Sequence, residues 1–220
     1  MPAPLTHLLF DLDGTLTDPR EGITRCYAHA LRSLGREPPP LAALERFIGP
    51  PTREVMSELL ATADRELIEH GVRVYRERFA SVGLFENAPY PGVGDVLAAL
   101  LGRGFALYVC TSKPEVYAVQ ILDHFELSQF FQRIYGCELD GTRADKADLL
   151  AYLVQKESIE PQRAVLIGDR LHDVRAARKS GLYSIGVLYG FGSEAELTQA
   201  GADLVCPTLA ELPRVIDALS

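Results

Sequence analysis

The chain has 220 residues, 47% of them hydrophobic and 24% charged, with 22 basic against 30 acidic side chains and a formal net charge of −8. That length can bury a full core without disulfide or metal staples, and 18 scattered Gly with 14 Pro exclude a collagen-like or low-complexity chain. The acidic balance argues against nucleic-acid polymers and anionic membranes as partners, because both select basic surfaces; a small anionic substrate in a local positive pocket stays open.

The cysteines at 26, 110, 137 and 206 are too far apart for a CxxC pair, and Cys110, Cys137 and Cys206 lie in apolar runs. Buried, reduced thiols are expected. The leading Met-Pro-Ala-Pro-Leu-Thr-His has no basic segment followed by a long apolar one, and no apolar stretch approaches bilayer-spanning length. A cytoplasmic enzyme is the expectation.

Residues 6–11 (Thr-His-Leu-Leu-Phe-Asp) form a short apolar run ending in an acid and read as a buried strand. From about 21 to 82 the period turns helical. Ile23, Cys26, Tyr27, Ala30, Leu31 and Leu34 recur on one helix face that Gly35 stops. Pro38, Pro39 and Pro40 force a break, and helical patterning resumes over 41–47, 52–60 and 63–82. About four helices are expected there, with Tyr75, Phe79 and Phe85 in their core. Beyond Pro91-Gly92, strand-length apolar runs at 105–111, 133–137, 164–169, 184–188 and 204–206 alternate with helical stretches near 93–102, 114–124, 145–156, 171–180, 194–200 and 208–219. Apolar strands alternating with helices imply a parallel sheet covered on both faces, and the first strand must join it to find a partner. The predicted fold is α/β: a Rossmann-like parallel-sheet core of residues 1–15 and 88–220, with an inserted all-α helical cap of residues 16–87.

Ligands of open parallel sheets bind at the carboxyl ends of the strands, which singles out the residues there, the loop Tyr189-Gly190-Phe191-Gly192 among them. Asp11-Leu12-Asp13-Gly14-Thr15 puts two carboxylates close together, an arrangement stable only with a cation or shared proton between them. A calcium loop would need Gly at its sixth position and Glu at its twelfth; Leu16 and Gly22 stand there instead. Gly168-Asp169, with Asp173 four residues later, supplies a further hard oxygen ligand of the kind Mg²⁺ selects, although such a pair also serves helix capping. Thr111-Ser112-Lys113-Pro114 offers hydroxyls and amides to an anion at a strand end. Lys146, at a loop-to-helix junction, is a point charge suited to phosphate.

These elements in this order resemble the haloacid dehalogenase-like superfamily over essentially the whole chain: DxDGT at 11–15, a helical cap, a strand ending in Thr111, Lys146, and GDxxxD at 168–173. The Tyr90-Pro91-Gly92 linker and Ile48-Gly49-Pro50-Pro51 look like the phosphoglycolate phosphatase branch. The resemblance implies Asp11 as nucleophile, Asp13 as general acid and base, and Mg²⁺ held by Asp11, the Asp13 carbonyl and Asp169. It further implies that Thr111, the Ser112 amide and Lys146 hold the transferring phosphoryl group, and that Asp173 orients Lys146 or a metal-bound water. Because Asp13 is present, it implies a phosphatase rather than a dehalogenase. Ala147 stands where that branch has proline after the lysine, and Leu139–Arg143 resembles relatives assigned as 5′-nucleotidases. A nucleoside monophosphate is therefore the expected substrate, ahead of phosphoglycolate and sugar phosphates, for a monomer or homodimer. Arg53, Arg46 and Lys113 are candidate substrate contacts. A receiver-type phosphoacceptor is the rival reading; it would be shorter and would lack the helical insertion.

Overall fold

A computed structural model describes residues 4–219. The chain forms two compact units, one of residues up to Thr17 together with Pro89 onward, the other Asp18–Ala88. In chain order the strands are β1 (His7–Phe10), β2 (Thr17–Asp18), β3 (Ala88–Pro89), β4 (Ala106–Pro114), β5 (Arg133–Cys137), β6 (Ala164–Gly168), β7 (Tyr183–Val187) and β8 (Leu204–Cys206). The helices α1 (Arg20–Ser33), α2 (Leu41–Leu44), α3 (Thr52–Leu60) and α4 (Arg65–Arg78) lie in the second unit. The first unit holds α5 (Val93–Gly102), α6 (Glu115–His124), α7 (Lys146–Lys156), α8 (Leu171–Ser180), α9 (Glu194–Ala200) and α10 (Leu212–Asp217). Among the described residues no helix is long and apolar enough to cross a membrane.

Six strands make one sheet in the order β5-β4-β1-β6-β7-β8, and every pair is parallel. The register explains the run of apolar residues. Leu9 sits between Tyr108 and Leu166 and faces a core shared with Leu149, Leu150 and Leu153 of α7 and Ala176 and Ala177 of α8. Their neighbours Leu8, Phe10, Leu107, Val109, Val165 and Ile167 point the other way and are just as buried. A strand buried on both faces needs a continuous apolar sequence, as these strands have. All four cysteines are free and buried.

In the helical unit, α1 buries Ile23, Cys26, Tyr27, Ala30 and Leu31. Asp64 caps α4 by accepting the Glu66 and Leu67 amides at 2.9 and 3.5 Å, satisfying donors the helix leaves open. The helix expected to run to 82 stops at Arg78 and widens into a π-turn at Phe79–Gly83. That turn returns the chain to α1, where the Gly22 amide donates to the Glu86 carbonyl at 2.8 Å. Tyr75 and Phe79 stack in the core, with ring centroids 5.5 Å apart. Phe85 does not join them: it is 49% exposed while Leu84 is fully buried, because the turn gives the inward position to Leu84.

The Glu86 carboxylate takes Arg78 at 2.8 and 3.0 Å and Arg25 at 2.8 Å. The hydrogen bond from Arg78 holds this carboxyl below its ordinary value of 4.5, against the effect of burial. Glu86→Gln should therefore cost about 1.5–3 kcal/mol at neutral pH. Since the folded-state pKa is depressed, the wild-type advantage is complete above pH 4.5 and disappears as pH falls through the lower folded value. Urea denaturation followed by circular dichroism in steps down from pH 7 checks both the size and the sign.

Candidate active site

The strand order reverses at β1: the chain builds outward through β4 and β5, then crosses back to β6, β7 and β8. A crevice opens at the carboxyl ends of the strands flanking such a reversal. Asp11 follows β1, Thr111 lies in β4 and Asp169 follows β6, so topology alone gathers three distant segments of sequence here.

Lys146 is the first residue of α7, whose amino end Asp145 caps at 2.9 and 3.0 Å. The residue is 5% exposed, and its ammonium lies 2.9 Å from Asp11 Oδ1 and 2.8 Å from Asp173 Oδ1. Burial works against the charge, but Asp11 and Asp173 outweigh it and keep Lys146 protonated above the usual lysine range. Asp173 does two jobs in the first turn of α8. Its Oδ2 accepts the Arg170 amide at 3.2 Å, the reach-back bond of a helix start, while Oδ1 faces Lys146. Burial raises the Asp173 carboxyl to about 6, with Lys146 opposing.

The strand ends at Phe10, so a tight turn sets Asp13. The Leu12 carbonyl accepts the Thr15, Leu16 and Thr17 amides, and Gly14 N–H donates to the Thr17 carbonyl at 2.8 Å. Gly14 has φ +80°, and a Cβ there would lie 2.1 Å from Asp169 Oδ2; only glycine fits. Asp13 Oδ2 meets Lys113 Nζ at 2.7 Å. Burial raises the Asp13 carboxyl and Lys113 opposes the rise. Lys113 reaches inward because β4 shifts register between Thr111 and Pro114, and a bulge of this kind re-aims side chains. The buried Thr111 hydroxyl accepts the Lys113 amide at 3.3 Å. Ser112 is half-buried, and its carbonyl accepts the Cys137 thiol at 3.0 Å.

Asp11, Asp169 and Asp173 each offer a carboxylate oxygen within 4.8 Å of the others. Asp169 Oδ2 accepts the Phe191 amide at 2.8 Å, whereas its buried Oδ1 has no hydrogen-bond partner. Burial, then Asp173 and Asp11, push the Asp169 carboxyl well above its ordinary value. Asp11, Asp13, Asp169 and Asp173 outnumber Lys113 and Lys146, and a divalent cation would offset the excess. Hard carboxylate donors and an orphaned buried oxygen fit Mg²⁺.

Of the residues singled out from sequence, Asp11, Asp13, Thr111, Ser112, Lys113, Lys146, Asp169 and Asp173 all belong to the sheet unit. Arg53 and Arg46 belong to the helical unit, where they engage Glu69 and Glu58. Sequence reasoning missed the pairing of Lys113 with Asp13 and the bond from Phe191 to Asp169. The only trace of the second was a glycine on either side of Phe191 at a strand end.

A family profile described as haloacid dehalogenase-like hydrolase matches residues 8–187. A 5′-nucleotidase of Pseudomonas aeruginosa is 47% identical over 212 residues, 96% of each chain. Tyrosine-protein kinase PtkA of Mycobacterium tuberculosis is 38% identical over 185 residues, 84% of this chain and 62% of PtkA. A phosphoglycolate phosphatase of Agrobacterium fabrum is 30% identical over 214 residues, 95% of this chain and 91% of that one. The crystal structure of a predicted phosphatase from Clostridium acetobutylicum superimposes with a TM-score of 0.95 at 40% identity, covering 98% of this chain and all of that one.

Replacing Lys146 by Met strands two buried carboxylates. Such a loss should destabilise the sheet unit by about 3–5 kcal/mol, read as a lowered urea midpoint.

Proposed function

The chain belongs to the haloacid dehalogenase-like hydrolase family, and from that premise we propose that it is a Mg²⁺-dependent phosphomonoesterase acting on a nucleoside 5′-monophosphate. The carrying observation is the buried Asp11–Lys146–Asp173 arrangement beside Asp169 at the strand reversal. It keeps a carboxylate next to the cation that would bind the group it attacks.

In this reading an Asp11 oxygen bonds to phosphorus as the ester P–O bond breaks, and Asp13 delivers a proton to the departing alkoxide. Water then attacks the aspartyl-phosphate and gives its proton to Asp13, releasing phosphate and restoring Asp11. The Thr111 hydroxyl, the Ser112 amide and Lys146 hold the transferring oxygens, and Asp173 fixes Lys146 through the 2.8 Å contact. Asp11, Asp169 and the Asp13 carbonyl would hold Mg²⁺, which when bound lets an anionic nucleophile approach a phosphate dianion. The substrate class is supported by the relative at 47% identity and by Ala147 standing where the phosphoglycolate phosphatase branch usually has proline.

Four outcomes follow. Phosphate release from p-nitrophenyl phosphate should stop with EDTA and return with Mg²⁺. Asp11→Asn should abolish that release while the circular dichroism spectrum stays native, and Asp13→Asn should slow it by about 10²–10⁴; residual full activity in either variant removes the assigned role. Across a panel of nucleotides, phosphoglycolate and sugar phosphates, the highest kcat/KM should fall on a nucleoside 5′-monophosphate, and a preference for phosphoglycolate would overturn the substrate assignment.

A further inference from the structure

The Tyr189–Gly192 loop after β7 takes no part in the reaction above, yet its contacts converge on the acidic site. Phe191 N–H donates to Asp169 Oδ2 at 2.8 Å. The Tyr189 hydroxyl donates to the Thr15 carbonyl at 3.2 Å, tying the loop to the turn that carries Asp11 and Asp13. The Tyr189 ring meets Tyr90 edge-on at 5.0 Å, and the Tyr90 amide in turn donates to the Leu16 carbonyl at 3.0 Å. The approach is closer than side chains would allow. A Cβ on Gly190 would lie 2.4 Å from both the Asp169 Cβ and the Gly14 carbonyl, and one on Gly192 would lie 1.9 Å from the Asp169 carbonyl.

We propose that this loop is the positioning element of the divalent-cation site, an inference that rests on the Mg²⁺ reading above. The Phe191 amide occupies one Asp169 oxygen and the glycines lock the carboxylate in one orientation, so that Oδ1, buried and without a hydrogen-bond partner, is presented as the ligand. Loss of an outer-shell partner of this kind typically costs about 10–100-fold in metal affinity. The consequence is selective. Mg²⁺ demands near-ideal octahedral geometry, whereas Ca²⁺ accepts variable ligand positions; a carboxylate pushed out of this orientation or released from it should therefore lose Mg²⁺ and keep Ca²⁺.

Calorimetric titration of the full-length protein with MgCl₂ and, separately, CaCl₂ tests this. In Gly190→Ala, Mg²⁺ affinity should fall about 10–100-fold with Ca²⁺ affinity within about threefold of wild type and a native circular dichroism spectrum. Equal losses for both ions, or no loss, in the folded variant overturn the proposal. Should Gly190→Ala not fold, Tyr189→Phe decides, because it keeps the ring and deletes only the tie to Thr15. A drop in Mg²⁺ affinity of about threefold to tenfold with Ca²⁺ unchanged supports the proposal, and wild-type Mg²⁺ affinity overturns it. Failure of the unmodified protein to bind Mg²⁺ overturns the metal reading itself, and this inference with it.

Discussion

An ammonium group buried between two carboxylates organises this protein. Lys146 begins α7, Asp11 follows the first strand and Asp173 lies in the first turn of α8, so one ion triad fixes the mutual position of three elements far apart in sequence. Burying any of these charges alone would be prohibitive, and burying them together is tolerable only while each has its partner. The geometry is therefore demanding. The cap on α7 sets where Lys146 emerges, and the reach-back bond at the start of α8 leaves a single Asp173 oxygen free to meet it.

The second lysine repeats the logic on a different scale. Lys113 reaches Asp13 only because β4 departs from regular register after Thr111, so an irregularity in the sheet is what separates the partners of Asp11 and Asp13. Four neighbouring acids still exceed the two lysines, and burial drives Asp13, Asp169 and Asp173 away from their ionised forms. Structures optimised for stability alone avoid such crowding, and clustered, perturbed carboxylates in a crevice mark chemistry. A hydrolase of this family gains from the arrangement under the proposed mechanism, because the charge excess that strains the free protein is what attracts a cation.

The helical unit obeys different rules. Its core is aromatic and aliphatic, built on Tyr27, Tyr75 and Phe79, and several of its arginines have partners within the unit: Arg78 and Arg25 on Glu86, Arg53 on Glu69. The proposed chemistry resides in the sheet unit alone. Substrate preference is a separate property: the relatives at 30–47% identity are a 5′-nucleotidase, a tyrosine-protein kinase and a phosphoglycolate phosphatase.

The alternation of apolar strands with helices was legible in the sequence because a strand covered on both faces has no polar position to spare. The DxDGT and GDxxxD residues were legible as candidates because unusual charges at strand ends stand out against such runs, and Lys146 because it stands at a loop-to-helix junction in the order the resemblance requires. Helix ends inside the insertion were less legible: nothing in residues 79–85 announces a π-turn, and the Glu86 pairs with Arg25 and Arg78 that follow it cross the unit. The resemblance offered Asp173 as a partner of Lys146, but the pairings of Lys146 with Asp11 and of Lys113 with Asp13 were not legible. Which acid meets which lysine depends on strand order, on a register shift and on how closely Gly14, Gly190 and Gly192 let backbone approach Asp169. Residue type and local pattern determine what a segment buries and what it leaves charged; only the folded chain decides which charges, brought together from distant segments, must balance one another.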